Sequence, residues 1–423
     1  MIVHVVKPGE TLWGISVKYQ TTAAVIQSLN GLTSDILVPG IALVVPSTVV
    51  FTVKQHVISQ GETLWSISRE FNIPLQLLLA FNPEKNELEL IPGNTILVPN
   101  RVFQKRTIET SAYLVITGSN QDVQFVRQFE NLLTYVCIFT YSFDLFGQLQ
   151  TPIKPVPKVA GVKFLMVVSN LVSGGNFSID LAHKVLESAK ARQTLIEQMI
   201  QELQRQGYAG VNLDIEHILP SDRNSYNSFV EQVVRALKPL GFLVTVAIPP
   251  KPFDNPNNEW VGGYDYQAIG AAADRIMLMT YDWGFPIGRP QAVAPVDKIR
   301  DVLRYAFSLM DSTKVHLGMP LYGDDWPLPH SPARPANIVV NQTALLNAIA
   351  NKVPIYIDPL AVAPFYYYRV NGVNRVVWYN DALSILAKAE LVREFNIGGF
   401  FFWALGYDFP QNWVLINDVF QIR

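Results

Sequence analysis

Cysteine is almost absent from this sequence, and strong net charge and long apolar runs are absent too. The 423 residues include one cysteine, Cys137, which excludes a disulfide framework and a cysteine metal cluster; its apolar surroundings predict packing. A formal net charge of -2 offers no general attraction to nucleic acid or anionic lipid, so we expect neither partner. No apolar run is long enough to cross a bilayer, and we expect no membrane insertion.

The sequence also lacks the usual features of a secreted or metal-dependent protein. Residues 1–9 show no basic start, no longer apolar stretch and no small-residue cleavage site, so we expect synthesis without a recognisable signal peptide. The histidines are scattered without ligand spacing, so no metal and no cofactor is predicted. A chain of 423 residues is too long for one ordinary domain, and we expect two or three folded units.

An internal repeat occupies the first hundred residues. The segment 8–16, PGETLWGIS, returns at 60–68 as QGETLWSIS, and Asn30 matches Asn82 at the same offset. Each copy is predicted to form a strand, two short helices and a closing strand, because a threonine before Leu-Trp can cap a helix and prolines mark the exits. Since units of this size have little core, we predict that Trp13 and Trp65 are packing groups.

The repeat resembles the LysM domain, which binds N-acetylglucosamine-containing glycans such as peptidoglycan and chitin. The resemblance implies LysM domains at residues 1–47 and 52–100, each with a groove between the loop after the first strand and the loop before the last. In this sequence those loops are 9–11 with 35–38, and 61–63 with 87–91. The implied glycan-binding residues are Gly9, Thr11, Gly61 and Thr63. For any single one of them, simple turn chemistry is the alternative, and two weak tethered sites would gain avidity.

From about residue 104, strands alternate with helical segments, which is the pattern of a parallel α/β sheet. Eight apolar segments read as strands: 112–116, 135–140, 163–169, 210–216, 242–248, 275–281, 315–321 and 399–404. Eight strands predict a (β/α)8 TIM barrel over residues 104–423. A small α+β insertion is expected at about 325–383, where aromatic segments alternate around Asn371-Gly372 as in a hairpin.

Two carboxylates stand two residues apart at the end of the fourth predicted strand. In an extended strand Asn212, Asp214 and Glu216 share one face. The carboxyl ends of barrel strands meet at one place, where acids would lie among aromatic rings. Such a site suits a carbohydrate, because rings stack on sugars and a desolvated carboxylic acid keeps its proton for a leaving oxygen. The groups at the other strand ends are Met279, Tyr281, Asp282, Tyr322 and Trp403.

Residues 210–216, 279–282 and 403 resemble the signature strands of family 18 glycoside hydrolases. Together with the LysM modules they are similar to the cortical fragment-lytic enzymes, the spore germination N-acetylglucosaminidases of Bacillus-type bacteria. The resemblance implies location at the spore coat or cortex, and a retaining reaction in which the substrate's own acetamido group is the nucleophile.

The family also implies a role for each site residue. Glu216 would protonate the glycosidic oxygen, while Asp214 and Tyr281 would hold the acetamido group. Trp403 would form the floor of the sugar subsite. The remaining substrate-binding residues are Asn212, Asp282, Met279 and Tyr322.

The sequence departs from the family pattern at two positions, Ala209 and Asn212, where the family has acids. An amide cannot take the charge or proton of Asp214, so we expect Asp214 to stay ionised over a wider pH range than beside an acid. His217 is predicted to point to the other side of the strand in a structural role. Trp283 and Trp326 follow strands, where sugar stacking and lid packing are both open.

Three functions compete at this point. The first is an enzyme that cleaves β-1,4 bonds at N-acetylglucosamine in peptidoglycan, the second is a chitinase of the same mechanism, and the third is a glycan-binding lectin without catalysis. The presence of Glu216 argues against the lectin. The sequence leaves endo or exo cleavage and dependence on muramic lactam open, and we expect a monomer.

Overall fold

The computed structural model describes residues 1–46, 51–71, 78–79, 82, 90–101, 105–152 and 154–423. The chain forms two compact units. One consists of Met1–Ile2 and Val45–Arg106, and the other consists of Val3–Val44 and Thr107–Arg423. The larger unit therefore contains most of the first repeat together with the α/β region.

The first repeat has the predicted strand-helix-helix-strand order. Strand β1 (Ile2–Val5) pairs with β2 (Ala42–Val45), and helices α1 (Leu12–Lys18) and α2 (Ala23–Asn30) lie between them in sequence. The hydroxyl of Thr11 accepts a hydrogen bond of 3.1 Å from the backbone N–H of Gly14, which caps α1.

The second repeat is described in part. Strands β3 (Phe51–Val57) and β4 (Thr95–Arg101) pair antiparallel, and helix α3 (Leu64–Glu70) follows β3. Of its predicted second helix only residues 78–79, which are helical, and 82 are described, and residues 87–89 of its predicted binding loop lie outside the described residues. The side chains of its small core are Ile58, Leu64, Ile67, Leu78, Ile96 and Val98.

A buried asparagine joins helix to strand in each repeat. The amide nitrogen of Asn30 donates to the carbonyl oxygens of Ile26 and Val44, both at 2.7 Å, and its Oδ1 accepts from the N–H of Val44. Asn82 makes the equivalent three bonds with Leu78 and Leu97. Because an amide side chain both donates and accepts, it satisfies backbone groups that a core of this size would otherwise bury unpaired.

The two tryptophans of the repeat are exposed, so the prediction that they are packing groups is wrong. The exposed fractions of Trp13 and Trp65 are 73% and 58%. Helix α1 buries Leu12, Ile15 and Ser16. A residue directly after Leu12 lies roughly 100° further around the helix, because an α-helix has about 3.6 residues per turn, and so it points away from this core.

From residue 105 onward the strands are β5 (Arg106–Val115), β6 (Tyr135–Phe143), β7 (Leu149–Gln150), β8 (Lys163–Ser169), β9 (Leu171–Val172), β10 (Asn176–Phe177), β11 (Gly210–Asp214), β12 (Leu243–Ile248), β13 (Arg275–Leu278), β14 (Val315–Pro320), β15 (Tyr322–Leu328), β16 (Asn337–Val340), β17 (Tyr356–Asp358), β18 (Ala363–Val370), β19 (Val373–Trp378), β20 (Gly399–Trp403) and β21 (Phe420–Ile422). The helices are α4 (Asn120–Phe129), α5 (Ile179–Glu187), α6 (Ala189–Gln206), α7 (Arg223–Leu237), α8 (Tyr266–Ala272), α9 (Val296–Phe307), α10 (Asn341–Ala350), α11 (Ala382–Glu394) and α12 (Pro410–Val419).

Eight parallel strands close into a barrel, which confirms the predicted TIM-barrel fold. Their order around the barrel is β5, β6, β8, β11, β12, β13, β14 and β20, and β20 pairs with β5 to complete the circle. Side chains fill the interior, among them Tyr113, Cys137, Leu165 and Phe401. Cys137 is fully buried there, as predicted.

The α+β insertion follows the seventh barrel strand, as predicted. It contains helix α10 and a five-stranded antiparallel sheet in the order β16-β15-β19-β18-β17. Its longest hairpin turns at Asn371 and Gly372, whose φ angles are +51° and +79°. Two residues with positive φ between Val370 and Val373 are typical of the tight turn that Asn-Gly predicts.

The first repeat is attached to the barrel and to its insertion by buried glutamine side chains. Nε2 of Gln411, on α12, donates to Oδ1 of Asn30 and to the carbonyl oxygen of Ala42, both at 2.8 Å. Nε2 of Gln342, on α10, donates to the carbonyl oxygens of Asn30 and Gly31 at 3.1 and 2.8 Å. Bonds to backbone carbonyls from two helices fix the orientation of the repeat on the barrel.

The attachment continues at the edge of the insertion. The N–H of Ile355 donates to the carbonyl oxygen of Pro39 at 2.9 Å. A Cβ atom on Gly40 would lie 2.0 Å from the carbonyl oxygen of Ile355. For the equivalent glycine of the second repeat, Gly93, no atom of the described residues lies within 4 Å of that position.

Gly40→Ala should therefore disturb the attachment, and Gly93→Ala is a matched control. The φ angles are +92° and +91°, so both variants carry the same backbone strain, and only Gly40→Ala adds a collision worth about 1–3 kcal/mol. Hydrogen exchange should become faster in residues 341–358 for Gly40→Ala and stay unchanged there for Gly93→Ala. Equal exchange in that segment for the two variants would contradict the attachment.

Candidate active site

The carboxyl ends of the barrel strands bring the predicted acids together. Strand β11 was predicted to run to Glu216, but it ends at Asp214, because the chain turns at His217, whose φ is +58°. Glu216 is instead held by Asn170, which follows β8. The N–H of Glu216 donates to Oδ1 of Asn170 at 2.9 Å, and the Asn170 amide donates to the Glu216 carbonyl oxygen at 2.8 Å.

Asn170 is a site residue that the sequence reasoning missed. Asn170 is fully buried. It directly follows β8, and two helices, α5 and α6, lie between it and Glu216 in the chain. The only signal in the sequence is a polar residue directly after the apolar third barrel strand. Its two bonds to one backbone unit determine where the Glu216 side chain begins.

Beneath the acids, Asn212 is fully engaged within the barrel. Its Oδ1 accepts from the hydroxyl of Tyr113 at 2.8 Å, and its Nδ2 donates to Oγ1 of Thr245 at 2.8 Å. Its exposed fraction is 0%. The prediction that Asn212 binds substrate is therefore corrected: both ends of the amide are used by the protein, and the residue positions β11 from below.

Burial controls the protonation of the two acids. Only 3% of Asp214 is exposed, and its Oδ1 has no hydrogen-bond partner within the described part of the chain. Burial raises the pKa of Asp214 above its ordinary value. Burial, followed by the charges of Asp214 and Asp282, raises the pKa of Glu216 well above its ordinary value. Asp214 therefore ionises first, and Glu216 retains its proton.

Two tyrosines complete the polar part of the site. Burial, with the charges of Asp282 and the two acids, raises the pKa of Tyr281 well above the ordinary value of a phenol, so its hydroxyl remains a donor. Asp282 has a left-handed backbone, with φ of +65°, and its Oδ1 accepts a hydrogen bond from the hydroxyl of Tyr322. Asp214 and Glu216 lie at the end of β11 or just after it, Tyr281 and Asp282 follow β13, and Tyr322 follows β14; in the barrel, β12 lies between β11 and β13.

Trp403 is the last residue of the eighth barrel strand, β20. Its ring centroid is 5.3 Å from that of Tyr113 and 5.0 Å from that of Phe139. Trp403, Met279 and Tyr281 are partly buried and pack against the interior cluster of the barrel. A half-covered indole supported from below offers a flat apolar surface at the level of the acids.

The structure decides the predictions for His217 and Trp326 and leaves both alternatives open for Trp283. The prediction that His217 lies on the reverse face of the strand is wrong, because the residue lies in the turn after β11. Its ring centroid is 4.9 Å from that of Trp260. Trp326 is fully buried in β15, and its indole N–H donates to the carbonyl oxygen of Gly288 at 3.0 Å, so it packs the loop after β13. Trp283 is half-buried in that loop.

The predicted glycan-binding residues of the two repeats lie in equivalent turns. Gly9 and Gly61 have φ of +83° and +87°, and the hydroxyl of Thr63 accepts from the N–H of Ser66 at 3.0 Å, as that of Thr11 does from Gly14. Each hydroxyl oxygen thus serves as a helix cap, while its hydrogen can still reach a ligand.

A histidine–glutamate pair in each repeat was missed by the sequence reasoning. Nε2 of His4 lies 2.8 Å from Oε2 of Glu10, and Nε2 of His56 lies 2.8 Å from Oε2 of Glu62. Each pair holds together the turn between the first strand and the first helix of its repeat. The sequence did contain a signal for these pairs, because His4 and His56 are separated by the same number of residues as the two Leu-Trp pairs of the repeat.

Other possible sites are separate from this one. Within the described residues no group of three or more His, Cys, Asp or Glu is placed to hold a metal ion, and no helix has the length and apolar character to span a membrane. A cavity of about 360 Å³ contains none of the predicted site residues; it is lined by Glu109, Leu133, Thr134, Tyr135, Gly161, Lys163, Arg275 and Arg423.

Comparison with known proteins gives family matches over most of the chain. Glycosyl hydrolases family 18 matches residues 110–408, and the LysM domain matches residues 4–46 and 56–99. The cortical fragment-lytic enzyme of Bacillus subtilis is 34% identical over 432 residues, covering 100% of this chain and 99% of that protein.

Solved structures match over the full length as well. The Bacillus cereus spore cortex-lytic enzyme SleL is 32% identical, with a TM-score of 0.83, covering 100% of this chain and 98% of the other. The corresponding enzyme of Bacillus megaterium is 31% identical, with a TM-score of 0.84 and the same coverage.

The stability of the fold should depend on the charge of Asp214. Because its pKa is raised in the folded state, the folded protein binds a proton that the unfolded chain releases from about pH 4 upward, and stability falls as pH rises toward the raised value. Asp214→Asn should therefore stabilise the protein at pH 8 and have little effect at pH 4, as urea unfolding would measure. A difference independent of pH would contradict the buried charge.

Proposed function

Because the chain belongs to family 18 of the glycosyl hydrolases and carries two LysM domains, we propose that it hydrolyses β-1,4 bonds at N-acetylglucosamine in peptidoglycan. Its cleavage specificity is that of an N-acetylglucosaminidase. The single observation that supports this most strongly is the placement of Asp214, buried at the end of β11, and of Glu216, half-buried two residues later, where burial and the Asp214 charge raise the pKa of Glu216.

The first step joins proton donation to attack by the substrate. Glu216 donates its proton to the glycosidic oxygen, and the bond from that oxygen to the anomeric carbon breaks. The carbonyl oxygen of the substrate's 2-acetamido group forms a bond to the same carbon, which gives an oxazolinium ion and a free leaving-group alcohol. The nucleophile belongs to the substrate, and because water later displaces it from the opposite face, two successive inversions leave the product with the configuration of the substrate.

The polar neighbours of Glu216 orient and stabilise this intermediate. The Asp214 carboxylate accepts from the acetamido N–H and balances the positive charge, and the Tyr281 hydroxyl donates to the acetamido oxygen. Ionised Glu216 then takes a proton from water, and the water oxygen attacks the anomeric carbon. The bond between that carbon and the acetamido oxygen breaks, which opens the oxazolinium ring and leaves the sugar ring closed.

The remaining residues hold the sugar in place. Trp403 forms the floor under the sugar whose bond breaks, with Met279 beside it. Asp282, bonded by Tyr322, presents its second oxygen to a sugar hydroxyl. Asn212 acts from beneath, through Tyr113 and Thr245, and does not touch the substrate.

The two LysM domains keep the enzyme on its polymer. We assign them to residues 1–47 and 52–100, with the catalytic domain at 104–423 and its insertion at about 325–383. Gly9, Thr11, Gly61 and Thr63 lie in the proposed grooves. Relatives named for cortical fragment lysis and spore cortex lysis support an association with the spore coat or cortex, and we propose that the protein acts as a monomer.

Product analysis tests this function against its competitors. The protein is incubated with spore cortex fragments and, separately, with chitin oligomers, and new reducing ends are identified by mass spectrometry. New N-acetylglucosamine ends from cortex fragments are the expected result. Cleavage of chitin oligomers alone would replace the proposal with a chitinase, and binding without cleavage would replace it with a lectin.

Glu216→Gln tests the acid directly. Removing the donated proton should lower kcat by about 10²- to 10⁴-fold, while binding of cortex fragments is retained, because general acid catalysis supplies a factor of that size. Glu259→Gln is the matched control, since Glu259 is an exposed glutamate in the loop after β12 and should retain wild-type kcat. A Glu216→Gln variant with wild-type kcat would contradict the assignment.

A further inference from the structure

One face of the insertion sheet carries aromatic side chains and begins beside the active site. Residues directly opposed on neighbouring strands point to the same face, and so do residues two apart on one strand. Trp378 opposes Asp324 on β15, and Tyr322 lies two residues before Asp324. Tyr322, whose hydroxyl bonds Asp282, therefore shares its face with Trp378.

The aromatic face continues across the next two strands. Trp378 opposes Phe365 on β18, and Phe365 opposes Tyr356 on β17. The rings are close to one another: Phe365 and Trp378 are stacked at 4.4 Å, Tyr356 is 5.7 Å from Phe365, and Tyr367 is 6.0 Å from Phe365. Four rings thus form one continuous strip.

The strip becomes more exposed with distance from the active site. Trp378 and Phe365 are half-buried, whereas 50% of Tyr356 and 54% of Tyr367 are exposed. The opposite face of the same hairpin is packed, because the hydroxyl of Tyr366 donates to the carbonyl oxygen of Ala344 on α10. The two most exposed rings, Tyr356 and Tyr367, therefore lie on the face that Tyr322 shares, a face on which Trp326 and Val376 are buried.

The far end of the strip meets the first LysM domain. Ile355, the residue before Tyr356, donates its N–H to the carbonyl oxygen of Pro39. Pro39 directly follows residues 35–38, one of the two loops proposed to form the glycan groove. From β15 to β17 there are three strand spacings, roughly 14 Å, so the strip bridges the distance between catalytic cleft and groove.

We propose that this strip, Trp378, Phe365, Tyr356 and Tyr367, is a binding track for the β-1,4 glycan chain between the active site and the first LysM domain. Aromatic faces stack on the apolar faces of sugar rings and tolerate variation in their substituents. Gln342 and Gln411 hold the domain on the barrel, so the track has a fixed length and its two ends bind one chain together. This inference rests on the proposed glycosidase function.

The test compares substrates of different length. The double variant Tyr356→Ala/Tyr367→Ala is assayed on purified cortex glycan chains and on the shortest glycan that the wild type cleaves. A lost track should lower kcat/KM for long chains by about tenfold, mainly through KM, and change the value for the shortest substrate little. Tyr356→Phe/Tyr367→Phe should restore long-chain cleavage, because it keeps both rings.

A control variant and a second variant separate the possible explanations. Leu240→Ala removes an equally exposed apolar group (50% exposed) between α7 and β12, and it should retain wild-type kinetics on both substrates. Gly40→Ala, which disturbs the attachment of the first LysM domain, should weaken long-chain cleavage in the same way as the ring variants.

The outcomes distinguish this inference from the proposed function. If the wild type cleaves glycan and the double alanine variant keeps the wild-type dependence on length, the track is overturned. An equal loss on long and short substrates also overturns it, since the rings would then act at the cleaved bond. A wild-type protein that cleaves neither substrate would overturn the proposed function instead.

Discussion

A buried acid at the end of β11, Asp214, and a half-buried acid two residues after it, Glu216, are the constraint on which the rest of the structure depends. In a low-dielectric site two adjacent acids do not both ionise at neutral pH, so the first charge that forms keeps the second proton in place. Asp214 carries that charge and Glu216 keeps that proton. The arrangement is costly for folding, and the closed barrel around it must supply the compensating packing and hydrogen bonds.

The barrel meets this requirement from below and from the side. Tyr113, Asn212 and Thr245 form a bonded chain beneath the acids, so the position of β11 is specified by its neighbour β12 and, through the barrel interior, by β5. Asn170 fixes the backbone of Glu216 after the strand has ended. The same closed sheet supports the Trp403 indole, which brings a flat apolar surface next to the acidic pair. Catalytic geometry is thus a consequence of strand order and register.

Much of the architecture follows from patterns within short segments. The eight barrel strands were predicted from the pattern of apolar residues, the hairpin from its Asn371-Gly372 turn and the repeat from internal sequence similarity. All three are signals that lie within short segments of the chain. The identity of the residues brought together at the strand ends followed from the rule that those ends converge. The end of β11 was misplaced by two residues, because the turn at His217 depends on contacts outside the strand.

What the sequence did not predict depends on contacts between distant segments. Nothing near Gln411 or Gln342 indicates that these side chains bind the first repeat, since a polar residue on a helix is usually solvated. The repeated tryptophans suggested packing by their size, but the core of each small domain is filled by Leu and Ile, which leaves Trp13 and Trp65 outside.

The central claim is that burial, reinforced by the neighbouring Asp214 carboxylate, raises the pKa of Glu216 so that it holds its proton at neutral pH. The most direct measurement is a carbon NMR titration of the Glu216 carboxyl, with labelled glutamate, in the wild type and in Asp214→Asn. The account predicts that Glu216 titrates well above the ordinary range of a glutamate in the wild type, and at a lower pH once the neighbouring charge is removed. Titration in the ordinary range in the wild type, or at the same pH in both proteins, would contradict it.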